Sequence, residues 1–129
     1  MAVAVVRLGS SRAADEGLRL GTVRRPPRGV RKADFGTRNF YDVWLPELAP
    51  SAQLLAWWLE GGPTPKRWAV FEKRYRAEMG KPPAARVIAL LSALSRDTNF
   101  SVGCYCEAEA FCHRSVLRRI LGDAGATMT

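Results

Sequence analysis

Every cysteine of the chain and its one histidine fall within positions 104–113: Cys104, Cys106, Cys112 and His113, followed at once by Arg114 and Ser115. Thiols, an imidazole and a guanidinium at this density suit three chemistries. The first is nucleophilic attack by a thiolate. Cys112 or Cys104 would supply the sulfur, and His113 would act as acid or base because an imidazole titrates near neutrality. The second is metal binding, for which Cys104, Cys106, Cys112 and His113 form a fallback ligand set. The spacing argues against it, because adjacent residues such as Cys112 and His113 rarely reach one ion and paired Cys-x-x-Cys spacing is absent. The third is anion binding, with Arg114, Ser115 and the free N–H groups of a helix start holding a phosphate-type group. A phosphate-cradling Cys-(five residues)-Arg loop does not fit. Seven residues separate Cys106 from Arg114, nine separate Cys104 from Arg114, and Glu107 and Glu109 add negative charge between them. The expectation is therefore an anion site lined by thiols, with no cofactor.

These residues need a strand, a loop and a helix to hold them. Asn99 to Tyr105 alternates Phe100, Val102 and Cys104 against Ser101, Gly103 and Tyr105, as a strand does. Gly103 would admit another backbone or a ligand at close range. After the loop Cys106 to Ala110, the spacing predicts a helix from about Phe111 or Cys112 to Leu121, with Val116, Leu117, Ile120 and Leu121 inward. The field at its start would lower the pKa of Cys112. Arg118 and Arg119 suit the negative end of its dipole.

The remainder reads as a scaffold. Residues 1–8 are rich in β-branched side chains and read as a buried strand, and 18–23 as a second strand with Leu18, Leu20 and Thr22 on one side. A basic loop follows at 24–38, with six basic residues against Asp34 alone, so it carries five of the eight net positive charges. Pro26 and Pro27 stiffen it, which lowers the entropy lost in holding Arg24, Arg25 and Arg28 around an anion. Phe40 to Leu45 is apolar enough for a short strand. Ser51 then caps a helix over 52–59 in which Leu54, Leu55, Trp58 and Leu59 share a face. Thr64 caps a second, with Pro65 at its first position and Trp68, Phe71, Tyr75 and Met79 as a core stripe. A third runs to about Arg96 with Val87, Leu90, Leu91 and Leu94 inward. Trp44, Trp57, Trp58 and Trp68 read as core rather than as stacking platforms for bases. The segment 51–96 is thus a helical crossover, and 122–129 a tail.

Ligands in α/β sheets sit beyond the carboxyl ends of the strands. The loops after Val23 and after Tyr105 both leave such ends, so they would face each other if their strands are parallel neighbours.

At 129 residues the chain is long enough for one domain with a real core. A net charge of +8 favours anionic partners, either a small molecule or nucleic acid. No apolar run approaches the roughly 20 residues that a membrane span needs, and the short apolar start reads as a strand rather than a signal peptide. Three cysteines are too few for a disulfide scaffold, so reduced thiols in the cytoplasm are expected.

Three stretches together resemble the DUF488 family of bacterial and archaeal proteins. They are Leu-Pro-Glu-Leu-Ala-Pro-Ser at 45–51, the Trp-x-x-Phe-x-x-Arg-Tyr-Arg-Ala-Glu-Met segment at 68–79, and Cys-Tyr-Cys with Cys-His-Arg-Ser at 104–115. The Ala-Pro-Ser and Arg-Tyr elements look like its YeaO-like branch, and Arg28-Gly29 matches the Pro-Arg-Gly of that branch's loop. Cys112-His113-Arg114 matches an element found in many other members. This chain has Arg25-Pro26-Pro27 where many YeaO-like members have Leu-Trp-Pro. The resemblance implies a small α/β domain and, since the family is of uncharacterised function, little about activity.

The sequence thus predicts one α/β domain with a small, mainly parallel sheet of three or four strands flanked by helices. Its leading function is a cytoplasmic anion-binding pocket, with an enzyme on a phosphorylated or nucleotide-type ligand as its sharper form. A nucleic-acid-binding module using the Arg24–Lys32 loop and a ligand-free interaction domain are the alternatives.

Overall fold

The computed structural model describes all residues from Met1 to Thr129. Four strands form one sheet: β1 (Val3–Arg7), β2 (Leu18–Gly21), β3 (Val43–Trp44) and β4 (Phe100–Cys104). Their order across the sheet is β1-β4-β2-β3, and every pairing is parallel. The register sets Val102 beside Val5 on one side and Leu20 on the other. Four helices complete the fold: α1 (Ala52–Gly61), α2 (Pro65–Met79), α3 (Ala84–Leu94) and α4 (His113–Asp123). The last residues run beside β1, where the Val3 N–H donates to the Thr127 carbonyl at 2.9 Å and the Thr129 N–H to the Val3 carbonyl at 3.0 Å. No helix is long and apolar enough to cross a membrane.

The central strand β4 is buried along its whole length, as a strand with neighbours on both edges must be. Phe100 and Val102 join Leu20 and Val3 in a core with Phe71, Tyr75 and Met79 of α2, Ile88 and Leu91 of α3, and Val116, Leu117 and Leu121 of α4. The opposite face carries Arg19 and Ser101, paired in register. There Glu16 accepts from Arg19 Nε at 2.7 Å and from Ser101 Oγ at 2.6 Å, and Arg19 also donates to the carbonyls of Ser10 and Asn39 at 2.8 and 2.7 Å. Arg19 is fully buried. One face of the sheet therefore packs on helices, and the other is closed by loops around a buried ion pair.

The helix caps follow the sequence. Ser51 Oγ accepts from the Leu54 N–H at 3.1 Å, and Thr64 Oγ1 from the Arg67 N–H at 3.2 Å. Three inward assignments are corrected. Leu59, Leu90 and Leu94 are exposed. Helix α1 buries only Leu54 outright, while α3 turns Leu91, as expected, and also Ile88 to the core. Leu18, the first residue of β2, is also exposed.

Candidate functional site

Strands β2 and β4 are parallel neighbours, so the loops leaving their carboxyl ends lie side by side, the condition set by the sequence reading being met. Tyr105 ties them together: its hydroxyl donates to the Arg25 carbonyl at 2.9 Å. Gly103 lets the chain from β1 close over β4. A Cβ there would lie 2.6 Å from Leu8 Cδ2 and 2.9 Å from the Val6 carbonyl oxygen. Leu8, Val23, Tyr41, Cys104 and Cys112 make a second, smaller core at this end of the sheet.

Between these loops and helices α1 and α2 lies a cavity of about 230 Å³. Its walls are largely apolar: Val23, Pro50, Leu55, Trp58, Phe71 and Phe111. Cys104, Cys106, Cys112 and His113 line it on the α4 side, and Arg24 and Arg25 on the basic-loop side. Trp58, Trp68, Phe71 and Phe111 pack at centroid separations of 5.1–6.4 Å, Trp68 on Phe71 stacked and the other pairs edge-on or tilted, so this wall is a continuous aromatic block.

The three sulfurs converge. All lie within 4.8 Å of one another, with Cys104 Sγ 3.8 Å from Cys106 Sγ. Cys104 and Cys112 are buried and Cys106 is exposed. This arrangement separates their protonation states. Cys106 receives hydrogen bonds from the thiols of Cys104 and Cys112, and the Arg114 charge lies near it, so its pKa falls to about 2. Cys104 is pushed up to about 11, first by its hydrogen bond to Cys106. Cys112 is held protonated by its bonds to both neighbours and by burial. The arrangement thus favours negative charge on Cys106 and disfavours it on Cys104 and Cys112.

His113 is buried on α4. Its Nε2 lies 2.7 Å from the Thr22 carbonyl, which requires an N–H there, and its Nδ1 lies 3.9 Å from Cys112 Sγ. Burial lowers its pKa to about 4, so at neutral pH it is an uncharged imidazole whose Nδ1 lone pair faces the Cys112 thiol. Of the fallback ligand set, the three sulfurs come together, while His113 is outside their group and committed to β2.

The anion-site candidates divide. Arg114 is buried, and its Nη2 donates to the carbonyls of Cys106 at 2.8 Å and Glu107 at 3.3 Å. It holds the loop that carries Cys106. Ser115 Oγ donates to the Cys112 carbonyl at 2.9 Å, inside the helix's own first turn. Arg24 donates through Nε to Pro50 at 3.0 Å and through Nη2 to Pro46 and Ala49 at 3.2 and 3.3 Å, fastening the entry to α1. Arg25 is exposed at the cavity, and Arg28 is exposed away from it. Glu109 is occupied by Arg118, at 2.8 and 2.9 Å. Cys112 is the N-cap of α4 rather than a residue of its first turn.

A family model described as the active DUF488-N3 subclade matches residues 3–125. The chain belongs to the DUF488 family. No curated protein and no solved structure matches it. Within this DUF488 chain, sequence reasoning found the cysteine cluster and both facing loops. It did not single out Cys106 among the three sulfurs, and it did not foresee the aromatic wall. The wall's signal lay in Trp58 and Phe71, which read equally well as ordinary core.

Proposed function

We propose that this DUF488 protein is a thiol-dependent enzyme acting on a small ligand that joins an apolar, preferably planar, body to an anionic group. The observation that carries this reading is the exposed Cys106, with the sulfurs of Cys104 and Cys112 gathered against it, beside an apolar cavity with Arg24 and Arg25 on its other side. In this reading the aromatic wall holds the ligand's body and Arg25 holds its charge. Cys106 supplies the nucleophile in place of Cys112 or Cys104, both of which keep their protons and stabilise its charge. Arg114 acts as a positioning residue through the loop carbonyls. The description of the matched subclade as active is in keeping with an enzyme. A phosphorylated or nucleotide-type ligand has the right chemistry.

Iodoacetamide labelling followed by peptide mapping tests this. Cys106 should label first by at least tenfold, and adenosine monophosphate should protect it better than inorganic phosphate. Arg25→Ala should weaken that protection. Equal labelling of all three cysteines, or protection independent of the ligand, would count against it.

A second reading rests on Arg25, Arg28, Arg31 and Lys32, all exposed along one loop. They could follow a nucleic-acid backbone. Binding of a DNA duplex should then fall steeply with salt, and a salt-independent or undetectable affinity removes it.

A further inference from the structure

The two protonated sulfurs beside Cys106 give the site a capacity that a single nucleophile lacks. Cys112 Sγ lies within 4.8 Å of Cys106 Sγ, so closing to the bonded distance of about 2.05 Å needs a shift of less than about 3 Å. Cys106 sits in the exposed loop between β4 and α4, so the shift falls to its side chain while Arg114 keeps hold of its carbonyl. Cys112 also has a proton acceptor in reach, His113 Nδ1 at 3.9 Å. The Cys104 thiol instead donates to Cys106 itself, with the sulfurs 3.8 Å apart.

We propose that Cys106 and Cys112 form a reversible dithiol–disulfide couple that exchanges with small-molecule disulfides whose organic part enters the cavity. This rests on the thiolate reading above and names a substrate class for it. In the first step the Cys106 thiolate attacks one sulfur of the substrate disulfide. A mixed disulfide forms, and the other half leaves as a thiolate that takes a proton from water. In the second step the Cys112 thiol gives its proton to His113 Nδ1, and its sulfur attacks the Cys106 sulfur. The mixed S–S bond breaks, the second half leaves as thiolate and takes up the proton from His113. The substrate gains two electrons, the protein loses two, and an external thiol running the same steps backwards restores the dithiol. Because the hydrogen bonds to Cys106 stabilise the reduced state, the closed disulfide should be a ready oxidant of thiols.

The experiment treats the fully reduced protein with excess bis(2-hydroxyethyl) disulfide, quenches with acid, and maps the thiols by mass spectrometry. Free thiols, three at the start, should fall to one, with a Cys106–Cys112 disulfide in the digest. Cys112→Ser should stall as the mixed disulfide on Cys106, whereas Cys104→Ser should still close. Wild-type protein that stalls at the mixed disulfide, or that pairs Cys104 with Cys106, overturns the proposal without relying on any variant folding. Rapid alkylation of Cys106 by iodoacetamide with no closure overturns this inference alone. Failure of Cys106 to react with either reagent overturns both it and the thiolate reading.

Discussion

Cys106 owes its charge to its neighbours, and this gives it an unusual pH response. An ordinary thiol, with a pKa near 8.5, loses reactivity about tenfold per pH unit below that value. With its pKa lowered to about 2 by the Cys104 and Cys112 thiols, Cys106 stays ionised, so its alkylation rate should be flat from pH 5 to pH 8. A tenfold fall per unit across that range would mean that the cluster does not hold the charge. His113 titrates in the opposite chemical sense. Its folded pKa of about 4 lies below the ordinary 6.5 because burial disfavours the imidazolium. The unfolded chain therefore binds the extra proton first. The stability contributed by neutral His113 is complete above pH 6.5 and is lost as pH falls towards 4, by roughly 3 kcal/mol in all. The lowered carboxyls of Glu16, Asp42 and Glu109 add acid sensitivity of the same sign. The His113 share is therefore read as the difference from His113→Gln, which should lose stability less steeply between pH 6.5 and 4. Parallel pH profiles for the two proteins would contradict this assignment.

The elements explain why these residues meet. Helix α4 begins at the site, and its second residue, Arg114, holds the preceding loop by two carbonyls. Arg114→Ala should therefore cost about 2–4 kcal/mol in denaturant unfolding and slow Cys106 alkylation. Arg118→Ala, which opens a half-exposed pair with Glu109, should cost less than about 1 kcal/mol. Equal effects would show that Arg114 is no anchor. On the far face of the sheet, Arg19→Ala leaves Glu16 buried and unpaired and should cost about 3–5 kcal/mol. Denaturation showing under 1 kcal/mol would mean that Glu16 finds solvent. Arg19 also marks what the sequence hid. Alternation showed which face of β2 it occupies, but an arginine on that face reads as solvated until Glu16, Ser10 and Asn39 are brought to it by the fold. The strands, helix caps and facing loops were legible because local periodicity and capping chemistry decide them. Leu59, Leu90 and Leu94 were misplaced because an apolar stripe wider than the available core leaves its edges in water. Cys112 drew attention by its place at a helix start. Which sulfur keeps solvent and accepts the others' hydrogen bonds depends on three side chains meeting in space, which local spacing does not encode.

At the scale of the whole molecule, all four strands point the same way, so every strand-end loop opens toward one pole of the protein, where the thiols, Arg25 and the cavity lie. The helices that cover the sheet also supply that cavity's wall, so the core and the site share residues such as Phe71. That sharing turns the protein into its own optical probe. The Trp58 indole faces the cavity on one side and contacts Trp68, Phe71 and Phe111 on others. A molecule entering the cavity displaces water from an indole whose surroundings are otherwise aromatic, and should shift its emission to the blue. A Trp58→Phe variant should lose that shift while retaining binding by calorimetry. Occupancy of the pocket could then be followed in real time, by colour alone, without attaching anything to the thiols.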